Sequence, residues 1–231
     1  CNMAGNLRAV DASGSIAVGC TGRNTTTMTM YVKDVSCAFK SRAIFQDFTA
    51  HFESGRLTAL TGASGSGKTT LLNMLGGLIV PDAGSIEFEG QDVAAMSSRA
   101  RRKFRRANIG YMFQDYGLVS DLTVEDNIKI AVPRVSSEAL AAVLADVGLG
   151  GSENRTVSEL SGGEQQRIAL ARLILAEPKI VLADEPTGAL DEENSQLVLK
   201  KLRQFAQNGA VVVVATHSSY IAENADTVVK L

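Results

Sequence analysis

The sequence predicts an α/β domain built around a parallel β-sheet that is covered on both faces. Two observations carry this prediction. Residues 180–183 and 211–215 are continuous apolar runs of strand length, with a helix-like stretch at 193–207 between them. Continuous rather than alternating apolar character marks strands buried between two layers of helices. A short strand at 56–61 also leads into a Gly/Ser-rich loop and then a helix-like run at 68–78. The length of 231 residues, with 45% hydrophobic and 21% charged residues, suits one such domain and excludes a disordered tail, a fibre or a disulfide-dense mini-protein.

Taken in order, residues 1–28 are rich in Gly, Asn, Ser and Thr without periodicity, and we expect a disordered or non-native extension there. No long apolar stretch follows a basic start, so a secretory signal is not expected. The domain is expected over 29–231. Residues 31–39 and 44–52 have strand-like spacing around the turn-forming Lys40, Ser41 and Arg42. A short strand is expected at 85–88, a basic helix at 98–107 and a strand at 109–113. Residues 115–176 read as mainly helical: 137–147 is rich in Ala and Leu and is stopped by Gly148, and 163–176 is apolar at helical spacing. The chain closes on an expected edge strand at 227–231.

Composition narrows the function. A net charge of −2 gives no support to bulk binding of a phosphate backbone, so no nucleic-acid partner is expected. Cys1, Cys20 and Cys37 form no CxxC pair and read as reduced thiols. The longest apolar run, 210–215, is far short of the ~20 residues that span a bilayer. If this protein serves a membrane, a partner does the crossing.

Three motifs carry chemistry. Gly62-Ala63-Ser64-Gly65-Ser66-Gly67-Lys68-Thr69 fits the phosphate-loop pattern G-x-x-x-x-G-K-[ST], with a strand before it and a helix after it. Its glycines let backbone N–H groups converge on phosphate oxygens, Lys68 supplies a counter-charge, and the Thr69 hydroxyl is a candidate Mg²⁺ ligand. The apolar strand at 180–183 ends in Asp184 and Glu185, where ligands gather in a parallel sheet. Asp184 is a candidate for holding Mg²⁺, and Glu185 for accepting a proton from an attacking water. Ser161 with Glu164 makes a capping box, and Gly162-Gly163 costs helix stability that a plain cap does not require. Free N–H groups there make a second anion-binding helix start.

These segments, together with Ala189-Leu190-Asp191, Thr216-His217 and Gln114 after Ile109-Gly110-Tyr111-Met112-Phe113, stand in the order of an ATP-binding cassette (ABC) transporter ATPase. The sequence resembles that family over residues 30–231. The run from Ala183 to Asp191 resembles the branch of macrolide-type exporters and lipoprotein-release ATPases. The resemblance implies a P-loop NTPase core with a parallel sheet, an N-terminal antiparallel β-subdomain and an inserted helical subdomain near 90–176. It implies that ATP is cradled by residues 62–69 with Thr70, and that Phe39 stacks on adenine. Ser161, Gly162, Gly163 and Glu164 would meet the nucleotide of a facing subunit, which Asp191 helps organise. Gln114 would contact Mg²⁺ or the lytic water, and His217 would hold the γ-phosphate and that water in register.

The implied function is an ATP-hydrolysing subunit that powers a membrane exporter or extractor. It would work as a head-to-tail dimer on separate transmembrane permease subunits, at the cytoplasmic face of a bacterial inner membrane. The alternative is an ABC ATPase that transmits a signal to a non-transport membrane partner. The basic run from Arg99 to Arg106 reads as a solvated helix face, with anionic lipid as the alternative contact. His51 matches no motif. No C-terminal regulatory domain is expected after Leu231.

Overall fold

The computed structural model describes residues 9–10, 28–39, 42–188 and 192–231. Most of the 1–28 stretch, Cys1, Cys20, the Lys40-Ser41 turn and Asp191 lie outside the described residues. Within it, Ala9–Val10 (β1) forms a short strand that the composition did not signal.

An antiparallel sheet is built from Thr29–Phe39 (β2), Arg42–Glu53 (β3), Ala83–Phe88 (β5) and Gln91–Asp92 (β6), in the order β3-β2-β5-β6. Alternation explains its single buried face: Met30 and Val32 point inward while Tyr31 and Lys33 point out. The second sheet contains β1, Leu57–Thr61 (β4), Ile109–Met112 (β7), Ile180–Asp184 (β8), Val211–Ala215 (β9) and Thr227–Lys230 (β10). Its order is β1-β10-β4-β9-β8-β7, and every neighbouring pair is parallel. The last strand is therefore not the edge that the sequence suggested: β10 is hydrogen-bonded to β4 on one side and to β1 on the other.

Period-2 geometry splits the parallel sheet's apolar strands between two cores. Val181 and Ala183 of β8, with Val212 and Val214 of β9, face one side. There they meet Val124–Ala131 (α3), Ser137–Asp146 (α4), Gly162–Ala176 (α5), Glu192–Gln207 (α6) and Ser219–Glu223 (α7). Ile180, Leu182, Val211 and Val213 face the other side, against Lys68–Leu75 (α1), the antiparallel sheet and Phe104 of Ser98–Asn108 (α2). Both faces are thus covered, as the unbroken apolar runs require.

Helix α1 stops at Leu75, short of Leu78, because Gly76 caps it and Gly77 turns left-handed at φ 61°. Within the 90–176 stretch, β7 belongs to the parallel sheet and α2 joins the antiparallel sheet's core. The helices that pack together there are α3, α4 and α5.

Candidate functional site

Strand β4 delivers the chain to Gly62, and α1 leaves the loop at Lys68. Gly67, at φ 102°, needs to be glycine on two counts: a Cβ there would sit 2.8 Å from Ile44 Cγ2 and 2.8 Å from the Phe45 ring. The β-subdomain is therefore pressed directly onto the loop. No side chain caps α1, so its first-turn N–H groups face the loop without a protein partner from a cap. Lys68 is buried, and its Nζ donates to the carbonyls of Gly62 at 2.9 Å and Ala63 at 3.1 Å. The Ser66 Oγ is buried without a hydrogen-bond partner.

The carboxyl ends of β4, β9 and β8 lie side by side: Thr216 N–H donates to Leu60 O, and Glu185 N–H to Ala215 O. Asp184, at the end of β8, is 6% exposed. Together with Thr69, Asn73, Tyr111, Phe113 and Gln114 it lines a cavity of about 700 Å³. Tyr111 stacks on Phe113 at 4.1 Å between ring centroids and donates to Asn73 Oδ1 at 3.0 Å. Burial, with the nearby Asp184 charge, pushes its phenol pKa well up and keeps it a neutral donor.

Glu185 follows in a left-handed conformation, φ 47°, uncommon for a non-glycine residue. The His217 backbone N–H donates to its Oε2 at 3.2 Å. Its Oε1 lies 3.4 Å from His217 Nε2, out of hydrogen-bond alignment, and is buried with no hydrogen-bond partner. A carboxylate oriented by a histidine, with one oxygen unsatisfied, is arranged to accept a proton.

Ser161 caps α5 in the capping box expected from its spacing to Glu164. Glu164 Oε2 accepts from both the Ser161 N–H and its hydroxyl, each at 2.8 Å. Oε1 accepts from Arg155 Nη1 at 2.8 Å. These bonds, the Ser161 backbone foremost, hold the Glu164 pKa down at about 2. A Cβ on Gly162 would come 3.2 Å from the Tyr116 hydroxyl, a tight contact that the tyrosine would have to yield to by a few tenths of an ångström. Ser161 and Gly162 are exposed and share no hydrogen bond with the loop at 62–69 among the described residues.

The structure thus brings Thr69, Asp184 and Gln114 to one cavity and joins Glu185 to His217. Thr70 lies in the first turn of α1. Phe39 stands 67% exposed at the hairpin end of β2, the hairpin whose Phe45 packs on Gly67. His51 is an exposed β3 residue near Glu53. Cys37 is a free, buried thiol whose pKa is raised by burial and by the Asp82 charge. No sequence motif singles out Asn73, Tyr111 or Arg155. Tyr111 and Asn73 are 38 residues apart, so no local pattern pairs them, and Arg155 reaches Glu164 from nine residues upstream, outside the capping-box spacing.

The ABC transporter family model matches residues 45–188. The lipoprotein-releasing system ATP-binding protein LolD 1 of Chlorobium luteolum is 42% identical over 189 residues, which is 77% of this chain and 80% of that protein. The macrolide export ATP-binding/permease protein MacB of Escherichia coli is 38% identical over 198 residues. That match takes in 83% of this chain but spans only 31% of the length of MacB. Among solved structures, a dimer of the bacterial ABC transporter cassette MJ0796 superposes with a TM-score of 0.81 at 28% identity, covering 87% of this chain and 94% of that one. A bacterial Atm1-family ABC exporter with ATP bound gives a TM-score of 0.78 at 27% identity, over 89% of this chain and 37% of that one. The phosphate loop, the two carboxylates at the end of β8 and the capped glycine pair of α5 occur in one chain with this fold, and with these relatives they establish that the chain belongs to the ABC transporter family.

Proposed function

We propose that this chain binds ATP with Mg²⁺, hydrolyses it to ADP and phosphate, and powers a membrane exporter or extractor as its ATP-binding subunit. The observation that carries the reading is the unpartnered, buried Oε1 of Glu185, placed beside His217 at the same sheet end as the phosphate loop. Lys68 and the first-turn N–H groups of α1 hold the triphosphate, whose charge needs a buried counter-charge. Glu185 takes a proton from water, and the His217 backbone N–H holds that carboxylate in place with the ring beside it.

Asp184, Thr69 and Gln114 offer one carboxylate, one hydroxyl and one amide oxygen around a shared cavity. That donor set fits Mg²⁺, which keeps waters and phosphate oxygens in its shell. Among the described residues no group of three or more His, Cys, Asp and Glu converges as an all-protein metal cage would. Held by Asp184, Thr69 and Gln114, Mg²⁺ would supply positive charge to offset that of the phosphates.

Among the described residues no helix is long and apolar enough to cross a membrane. The relatives named above include an ATP-binding protein of a releasing system and an ATP-binding/permease protein, which supports separate or fused permease partners. We place the chain at the cytoplasmic face of a bacterial membrane, in a head-to-tail dimer in which Ser161–Glu164 of one subunit and Lys68 of the other enclose each nucleotide. The dimeric MJ0796 cassette supports an assembly of two such subunits. Phe39 takes the adenine face.

Phosphate release from purified protein tests the catalytic core. Wild type should release phosphate from ATP only with Mg²⁺ present, and Lys68→Ala should lose nucleotide affinity while keeping its circular dichroism spectrum. An unchanged ATP titration in Lys68→Ala would remove the cradle from this reading.

A further inference from the structure

Helix α5 carries a guanidinium on an otherwise apolar stretch: Arg172 lies between the buried Ala171 and Leu173. Burial pushes its pKa down and no carboxylate contributes to offset that. Its partners are instead two backbone carbonyls. Nη1 donates to Gly117 O at 2.7 Å and Nη2 to Tyr116 O at 3.0 Å. Both acceptor residues are left-handed, Tyr116 at φ 64° and Gly117 at φ 56°. Tyr116 is therefore in a conformation that a non-glycine residue holds only when its surroundings enforce it.

The same loop carries Gln114. It begins at Phe113, stacked on Tyr111, and Tyr116 N–H donates back to Phe113 O at 3.0 Å. A Cβ on Gly117 would fall 2.8 Å from the Phe113 ring, so the turn is tightly closed. The Tyr116 side chain packs on the helical core, with its hydroxyl against Gly162 at the start of α5. Helix α5 thus grips this loop at two points, Gly162 and Arg172, three turns apart.

We propose that Arg172 is a positioning residue for Gln114: by fixing the carbonyls of Tyr116 and Gly117 it presents Gln114 to the cavity shared with Asp184 and Thr69, and fastens that loop to the helix that begins with the Ser161–Gly163 segment. This rests on the reading of Gln114 as a Mg²⁺ contact. Arginine's planar fork reaches the two carbonyls with two separate nitrogens in a fixed geometry, whereas lysine must serve both from one point-like ammonium and methionine has no donor.

The test uses the full chain and two readouts that do not require turnover. Hydrogen–deuterium exchange is followed over residues 113–118 without nucleotide, and equilibrium ATP affinity is measured in Mg²⁺ and in EDTA. Gln114→Ala should reduce the gain in affinity that Mg²⁺ confers. Arg172→Met should reduce the same gain by about 10-fold, the scale for groups that orient a metal contact. It should also speed exchange at 113–118 while sparing the EDTA affinity, and Arg172→Lys should fall between the two. Gly117→Val, which disturbs the turn but keeps Arg172, should reproduce the loss, and it replaces Arg172→Met if that variant does not fold. An unchanged Mg²⁺ gain in Arg172→Met or Gly117→Val overturns the proposal. So does an equal loss of affinity in Mg²⁺ and in EDTA, which would mean a merely structural role. If Gln114→Ala itself keeps the full gain, the reading of Gln114 fails first and the proposal falls with it.

Discussion

Glu185 combines a left-handed backbone, a carboxylate held by the His217 backbone N–H and a buried oxygen without a hydrogen bond. Backbone strain of this kind is retained where the surrounding structure enforces it. Glu185→Gln keeps the shape but cannot take a proton, so ATP binding should persist while hydrolysis falls by at least about 10²-fold. Side-by-side nucleotide titration and phosphate-release assays check this, and wild-type turnover in the variant would exclude Glu185 as the base. Glu164 is held ionised by its hydrogen bonds from Ser161 and Arg155. Its folded-state pKa is about 2, below its ordinary 4.5, so its contribution is fully present above about pH 4.5 and is lost as the pH falls toward 2. Glu164→Gln should therefore flatten the fall of melting temperature between those two values. An acid limb identical to wild type would mean that the Ser161 and Arg155 bonds add nothing to the fold.

Helix starts separate structural caps from the phosphate cradle. Helices α2, α3, α4 and α5 begin on Ser97, Thr123, Ser136 and Ser161, and each hydroxyl accepts from the N–H three residues on. Helix α1 begins on Gly67 with no such bond, while Leu71, Leu72, Met74 and Leu75 on its inner face are buried in the core beneath the β-subdomain. Its stability comes from packing, which leaves its N–H groups to a ligand. Gly67→Ala would place a methyl 2.8 Å from Phe45 and Ile44 and force φ 102° on an alanine. We expect a destabilisation of about 1–3 kcal/mol, the range for overpacking a filled core. Nucleotide affinity should fall with it. Thermal denaturation and ATP titration read both, and an unaltered melting temperature would show that the β-subdomain yields at no cost.

At the scale of the molecule, the parallel sheet gathers Lys68, Asp184, Glu185 and His217 at one end, while Ser161–Glu164 begins α5 among the packed helices. One chain therefore carries two candidate anion-binding helix starts, the uncapped one of α1 and the glycine-bearing one of α5, with no hydrogen bond between them among the described residues, as expected if each serves a different nucleotide. Two chains about a two-fold axis would then share two ATP molecules, and association would depend on ATP by mass action. Ser161→Arg and Lys68→Ala should each be inactive alone. Mixed together they restore one composite site, from the intact cradle of the first and the intact α5 start of the second. Some ATPase activity should return on mixing. A wild-type monomer whose rate per subunit does not change with protein concentration, and that forms no dimer with ATP, would refute the arrangement.

The sequence by itself determined whatever depends on near neighbours. The unbroken apolar runs of β8 and β9 required cover on both faces, the glycine spacing of residues 62–69 defined a phosphate loop, and the Ser161–Glu164 spacing defined a capping box. Period 2, period 3.6 and the orphan N–H groups of a first helical turn are local physics, readable over a few residues. Tertiary structure alone decided the rest. The strand order β1-β10-β4-β9-β8-β7 places β10 inside the sheet, and the pairing of β8 with β9 brings Glu185 to His217 across 32 residues. Folding likewise joins Tyr111 to Asn73 across 38 residues and Arg172 to Tyr116 across 56. Such contacts depend on which strands become neighbours and which helix covers which face, and those outcomes are selected by packing the whole core rather than by any local pattern.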